Sequence, residues 1–254
     1  MTKKILITGA NGQLGHEMRN ALKGNNRFEC IFTDVAELDI CNAEAVKQTI
    51  ADNHIDYIVN CAAYTQVDKA EDNAELCKKI NTDAVENLAR AAATYGARMI
   101  HISTDYVFNG RGYRPYTEDV VPDPQSVYGS TKLEGEKILT DICPESIIIR
   151  TAWLYSPYGN NFVKTMLHLG EEREELSVVA DQIGTPTCAA DLAQAILVIL
   201  QADTFVPGTY HFSDEGACSW YDFTVTIHRL AGITTCRVTP IRSDEYPSKA
   251  HRPF

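Results

Sequence analysis

Through roughly the first 150 residues, short apolar runs alternate with segments whose apolar residues recur every three or four positions. KKILIT, FECIFTD, DYIVNCAA, ARMIHIST and SIIIRT are rich in Ile and Val and lack a polar alternation, which predicts strands buried on both faces. Between them, helical spacing starts near Gly12 and continues through AEAVKQTIADNH, AELCKKINTDAVENLARAAATYG and YGSTKLEGEKILT; the third of these ends in a glycine stop. The short stretch ELDI reads as one further strand, third in order, ending near Asp39 and Ile40. Strand–helix–strand repetition of this kind predicts an α/β fold built on a doubly wound parallel sheet.

After about Arg150 the rhythm changes. WLYSPYGNNF, ADQIGTPT and GTYHFSDEGACSWYDF are rich in Gly, Pro and aromatic residues, and helices are expected at 161–169, 189–200 and 220–231. The expected organisation is a nucleotide-binding domain over 1–152, with 180–202 returning to it. A smaller C-terminal substrate-binding lobe is expected from 153–179 and 203–254.

Composition narrows the function classes. A net charge of −11 and a pI near 5.1 argue against a general nucleic-acid or anionic-membrane surface. The eight cysteines form no C-x-x-C and none sits beside a His at metal-ligand spacing, so reduced thiols in a cytoplasmic protein and no metal site are expected. The apolar run AILVIL is far too short to span a membrane, and the N-terminus has no apolar signal segment.

Candidate chemistry begins at ILITGANGQLG. Gly9, Gly12 and Gly15 follow the first strand and open a helix, the context in which glycines let the backbone approach a pyrophosphate at a helix N-terminus. With Asn11, Gln13 and Leu14 between them, they form the expected cradle of a dinucleotide-binding Rossmann sheet. Asp34, at the end of the second strand, is placed to hydrogen-bond the adenosine ribose and tilts the expectation towards NADH over NADPH. Asp39 and Ile40 are expected to flank the adenine. Ala62, Ala63 and Tyr64 would bring a further strand end close to the cofactor.

The strand ARMIHIST delivers Ser103, Thr104 and Asp105 to the same edge of the sheet. Tyr128 and Lys132 form a Y-x-x-x-K one helical turn apart, on one helix face. Chance gives about half a match to this pair per chain of this composition, so it carries weight only in its context. There the chemistry is coherent. A Lys ammonium favours a phenolate, a Thr hydroxyl can donate to a developing oxyanion, and Tyr128 can pass its proton as hydride reaches carbon. Ser103, Tyr128 and Lys132 would also border the nicotinamide and its ribose.

Together these residues resemble the extended short-chain dehydrogenase/reductase family. Within it, GANGQLG, VNCAAYTQVDKAE, STDYVFNG, VYGSTKLEGEK, RTAWLYSPYGNNFVKTM and DQIGTPT look like motifs of the dTDP-4-dehydrorhamnose reductases, over essentially the whole chain. The resemblance implies catalysis by Thr104, Tyr128 and Lys132. It implies sugar contacts from Asp105 and Trp153, and a nucleotide end faced by Asn161, Lys164 and the DQIGTPT loop. It also implies support of the site by Asn81. The implied reaction is reduction of a dTDP-sugar ketone by NADPH or NADH, feeding cell-surface polysaccharide.

The alternatives are another nucleotide keto-sugar reductase or epimerase, or a non-catalytic subunit resembling the regulatory subunit of methionine adenosyltransferase. Family chains run on beyond the Arg252–Pro253 pair, so a final helical segment is expected to be missing. Some relatives dimerise through Mg²⁺ held by glutamates. Glu17 matches one such position and Ala190 replaces another, so a homodimer, if formed, is not expected to be metal-linked.

Overall fold

The apolar runs pair as a parallel sheet. In the computed structural model, which describes residues 2–253, strands β1 (Lys3–Thr8), β2 (Phe28–Thr33), β3 (Tyr57–Asn60), β4 (Arg98–Thr104) and β5 (Ile147–Thr151) lie in the order β2-β1-β3-β4-β5. All of these pairings are parallel. The later strands are β6 (Leu154–Tyr155), β7 (Glu175–Val179), β8 (Ile183–Gly184), β9 (Thr187–Cys188), β10 (Gly208–His211), β11 (Cys218–Ser219) and β12 (Arg237–Ile241). The helices are α1 (Gln13–Ala21), α2 (Ala43–Asn53), α3 (Val67–Ala70), α4 (Ala74–Lys78), α5 (Ala84–Tyr95), α6 (Val127–Ile142), α7 (Phe162–Glu172), α8 (Ala189–Gln201) and α9 (Trp220–Ala231).

Successive strand residues point to opposite faces, so a run without polar alternation needs a cover on both sides. On one face Leu6, Ile58, Met99 and Ile148 pack with Val46 and Ile50 of α2, Leu88 and Ala92 of α5, and Leu139 of α6. On the other, Ile5, Ile7, Val59, Ile100 and Ile149 meet Leu14 and Met18 of α1 and Leu192 and Ile196 of α8. A separate small core of Met166, Leu176, Val178 and Ile227 forms where α7 and α9 cover the parallel pair β7–β12.

Three expectations change. Residues 203–254 do not all belong to the small lobe, because β10 pairs in parallel with β5 and becomes the sixth strand of the main sheet. The stretch ELDI forms no strand. Leu38 and Ile40 are buried, but the Asp39 carboxylate accepts from Cys41 N at 2.9 Å and its carbonyl from Asn42 N, a local turn that competes with a ladder. The long helix over 74–95 is interrupted by a π-helical turn, Lys79–Asp83.

Helix α6 is seated closely. A Cβ on Gly129 would fall inside the carbonyl oxygen of Tyr106, so the helix could not approach with a larger residue there. Further along, Glu136 of α6 accepts from Arg150 of β5, with Nη2–Oε2 at 2.6 Å and Nε–Oε1 at 3.0 Å, both side chains more than nine-tenths buried. Removing one partner of such a pair leaves a buried charge unmatched. Glu136→Ala is therefore expected to lower unfolding free energy by about 3–5 kcal/mol in urea titrations; a loss below about 1 kcal/mol would contradict a structural role for the pair.

Candidate active site

In strand order the sheet reverses direction between β1 and β3, the crevice where open parallel sheets take ligands. Gly9 follows β1 with φ of +64°, and a Cβ there would lie 2.7 Å from the Ala62 backbone after β3. Helix α1 begins at Gly12 with no side-chain cap, whereas α2, α6, α7 and α9 are capped by Asn42, Ser126, Asn161 and Ser219. A helix N-terminus beside glycines is the setting in which N–H groups can meet an anion. A cavity of about 400 Å³ opens beside them.

Seven expected cofactor residues line this cavity: Gly9, Gly12, Asp34, Asp39, Ile40, Ala62 and Ala63. Leu76, Lys79 and Ile80 also line it and had no sequence motif to mark them; only the fold of the π-helical turn over the strand ends brings them there. The Asp34 carboxylate accepts from Asn11 N at 3.0 Å and Val35 N at 2.8 Å, so it also ties β2 to the glycine loop. The side chain of Leu14 does not reach the cavity, because it is buried in the core beneath α8. Gln13 turns to the loop after β6, its Oε1 accepting from Asn161 Nδ2 at 2.9 Å. The Ser103 hydroxyl is buried and finds no hydrogen-bond partner among the described residues.

Tyr128 and Lys132 lie one turn apart on α6, and Lys132 Nζ ties that helix to Ile102 O, two residues before Thr104. Ser126 caps α6 by accepting from Gly129 N, and Glu71 accepts from Val127 N, which fixes the first turn and Tyr128 with it. The ring of Tyr106 meets Tyr128 edge-on at 5.3 Å. Thr104 lies beside the phenol, accepts from Tyr106 N and donates to Asp105 Oδ1 at 3.0 Å. Asn81 braces the neighbouring segment by bonding both Tyr64 N and Tyr64 O.

The electrostatics depart from the sequence reading. Burial holds the Tyr128 phenol well above its usual range, with Thr104 pulling the other way and Asp105 adding to the rise. Lys132 does not depress it here; it points away, its Nζ 2.6 Å from Ile102 O and 3.2 Å from His101 Nε2. Burial also pushes Lys132 itself down to about 8, with Glu136 resisting. Asp105 is pushed up to about 6, again by burial.

A second cavity, of about 660 Å³, lies on the far side of Asp105, bounded by Phe108, Tyr116, Arg150 and the 183–185 segment. Trp153 does not line it. It stacks on Trp220 at 3.4 Å and packs over Gly184, held at a left-handed φ of 48°. Asn161 and Lys164 do not line it either: Asn161 caps α7, and Lys164 Nζ satisfies the carbonyls of Pro157 and Gly159. Arg150 and Phe108 fall within quoted motifs but were given no role, and Tyr116 carried no motif, because each joins the cavity through tertiary packing.

Among the described residues, no cluster of three His, Cys, Asp or Glu suits a metal, and no helix is long and apolar enough to cross a membrane. All eight cysteines are free.

A parallel sheet with a glycine cradle at its switch point and a Tyr–Lys pair on the helix after β4 defines an extended short-chain dehydrogenase/reductase. The chain belongs to the family described as the RmlD substrate binding domain, whose model matches residues 3–254. It is 44% identical to the dTDP-4-dehydrorhamnose reductase of Escherichia coli K12 over 98% of this chain and 87% of that one. The crystal structure of a dTDP-4-dehydrorhamnose reductase from Clostridium acetobutylicum is 51% identical and superposes with a TM-score of 0.95, covering 98% of this chain and 88% of that one. The Bacillus anthracis dTDP-4-dehydrorhamnose reductase, solved in complex with NADP, is 42% identical with a TM-score of 0.95, covering 100% of this chain and 89% of that one.

The Gly9 geometry gives a direct check of the cradle. Gly9→Ala places a Cβ against Ala62 at a positive φ, so NADPH affinity, read by fluorescence titration, is expected to fall about tenfold or more. Unchanged affinity would contradict the placement of the dinucleotide.

Proposed function

We propose that this chain reduces the C4 ketone of dTDP-4-dehydro-6-deoxy-L-mannose to dTDP-L-rhamnose, with Tyr128 as proton donor. A single observation carries the reading: Tyr128 is buried at the first turn of α6, on the sheet whose glycine loop closely approaches the Ala62 backbone. A reduced nicotinamide dinucleotide bound there, NADPH or NADH, supplies the hydride. The protein supplies the rest.

Ketone reduction needs an acid that keeps its proton until the carbonyl oxygen gains charge, and the raised Tyr128 does so throughout the neutral range. Thr104, whose hydroxyl hydrogen points to Asp105, turns it to the substrate oxygen as that charge develops. Lys132, one turn further along α6, would favour proton release from the phenol once its ammonium turns from Ile102 O and His101 towards it. The larger cavity takes the sugar nucleotide, with Asp105 at the sugar and the 183–185 segment on the opposite wall. In this arrangement the main sheet, with α8 and β10, holds the cofactor, and the small lobe closes the substrate side. Eight free thiols support a cytoplasmic setting.

Tyr128→Phe is expected to lower kcat about 10²–10⁴-fold while leaving NADPH binding intact; wild-type turnover in the variant would remove Tyr128 from the chemistry. The sign of the pH dependence follows from the two shifted groups. Asp105 holds the Thr104 hydroxyl more strongly when ionised, so kcat/KM is expected to rise as pH passes about 6. Lys132 must be charged to assist the phenol, so kcat/KM is expected to fall as pH passes about 8. A profile flat across this range would contradict both assignments.

A further inference from the structure

His101 lies on β4 with no exposed surface, and the proposed chemistry leaves it unused. Its Nδ1 is 3.0 Å from Asn60 Nδ2, and its Nε2 is 3.2 Å from Lys132 Nζ. The partners of Asn60 decide which ring nitrogen carries the proton. The backbone N–H of Ala62 can only donate, so the Asn60 atom 3.2 Å from it is the carbonyl oxygen. Thr8 Oγ1 donates to the same oxygen at 2.6 Å. The other Asn60 atom is therefore the amide nitrogen. It can only donate, and His101 Nδ1 must accept.

Burial and the neighbouring lysine hold His101 neutral. A neutral imidazole has one N–H, so that proton sits on Nε2, facing Lys132. The lysine nitrogen also lies 2.6 Å from Ile102 O, which can only accept. An amine satisfies both neighbours: its lone pair takes the His101 Nε2–H, and one of its own N–H groups goes to Ile102. An ammonium has no lone pair and meets the imidazole N–H directly.

We propose that Asn60 locks His101 as its Nε2–H tautomer, and that this N–H weakens the hold of Lys132 on its proton, making His101 a positioning residue of the site. The assignment of a role in turnover to Lys132 rests on the reductase reading above; the tautomer lock does not. The other groups around the lysine do not supply this effect. Glu136, on the same helix, favours the ammonium but is held by Arg150. Cys77 of α4 also favours the charge, and Tyr128 lies one turn back with its phenol protonated. Burial and the histidine N–H therefore oppose the charge together. Lys132 is then charged most readily when a new acceptor or a phenolate enters its surroundings, which ties its charge to turnover.

The test uses the full chain. With ¹⁵N-labelled histidine, long-range ¹H–¹⁵N correlation is expected to show His101 protonated at Nε2 and bare at Nδ1 at neutral pH; a proton on Nδ1 overturns the proposal. Asn60→Asp reverses the lock, because a carboxylate accepts from Nδ1–H and leaves Nε2 to accept from the ammonium. The alkaline limb of kcat/KM is then expected to move up by about one pH unit or more, a tenfold tighter hold on the lysine proton. His101→Gln, whose side-chain oxygen can accept from the ammonium, is expected to move the limb the same way without adding charge.

A lower kcat with the limb unmoved in both variants, as a merely structural role would give, overturns the proposal. Titration of Lys132 by ¹³C NMR follows the same shift without substrate, so failure of the lock and failure of the reductase assignment are separable. If neither variant folds, the tautomer of the unaltered chain decides.

Discussion

A lysine nitrogen buried at 1% exposure is the constraint on which the site depends. Water cannot solvate it, so the protein must offer acceptors at short range. The nearest acceptor is the carbonyl of Ile102, in the last turn of sheet before Thr104. Reaching it forces α6 down onto the end of β4, and only a residue without a Cβ at position 129 permits that approach. Once α6 is there, the Ser126 cap fixes its first turn and Tyr128 falls opposite Thr104. The placement of Tyr128, the proposed proton donor, is thus a consequence of how the lysine is satisfied.

The same constraint explains the polar contacts beneath the site. Glu136 lies one turn beyond Lys132 on α6 and is neutralised by Arg150 from the neighbouring strand, which keeps a second buried charge from dominating the lysine. Arg150 in turn places its guanidinium over the ring of Phe108, a wall of the larger cavity. Tyr128 and the larger cavity are therefore linked through β4, β5 and α6, while the glycine loop packs on the end of β3. The small lobe, by contrast, is held by its own core between α7, α9 and the β7–β12 pair.

Much of this was legible in the sequence, for physical reasons that differ by residue. The strands were readable because both faces are covered, which removes polar alternation. The glycine loop and the Tyr–Lys pair were readable because their function needs fixed spacing in one element. ELDI misled because burial of Leu38 and Ile40 mimics a strand, while the Asp39 turn that prevents one is a local side-chain effect. Asn161 and Lys164 were assigned to the ligand, yet capping and loop carbonyls occupy their polar atoms. His101 and Arg150 were assigned no role, since each acquires its meaning only from a partner on another strand or helix. The direction of the Tyr128 shift was misread for the same reason: the spacing that brings Lys132 near does not show that its nitrogen turns to the sheet.

The central claim is a hydride delivered to one sugar carbon while Tyr128 supplies the proton. Reduction of dTDP-4-dehydro-6-deoxy-L-mannose with NADPH deuterated at the transferring position, followed by NMR of the product, tests it most directly. The account predicts dTDP-L-rhamnose with a single deuterium at C4 and no label elsewhere on the ring. A product lacking deuterium at C4, or an epimerised sugar formed without consumption of NADPH, would contradict it.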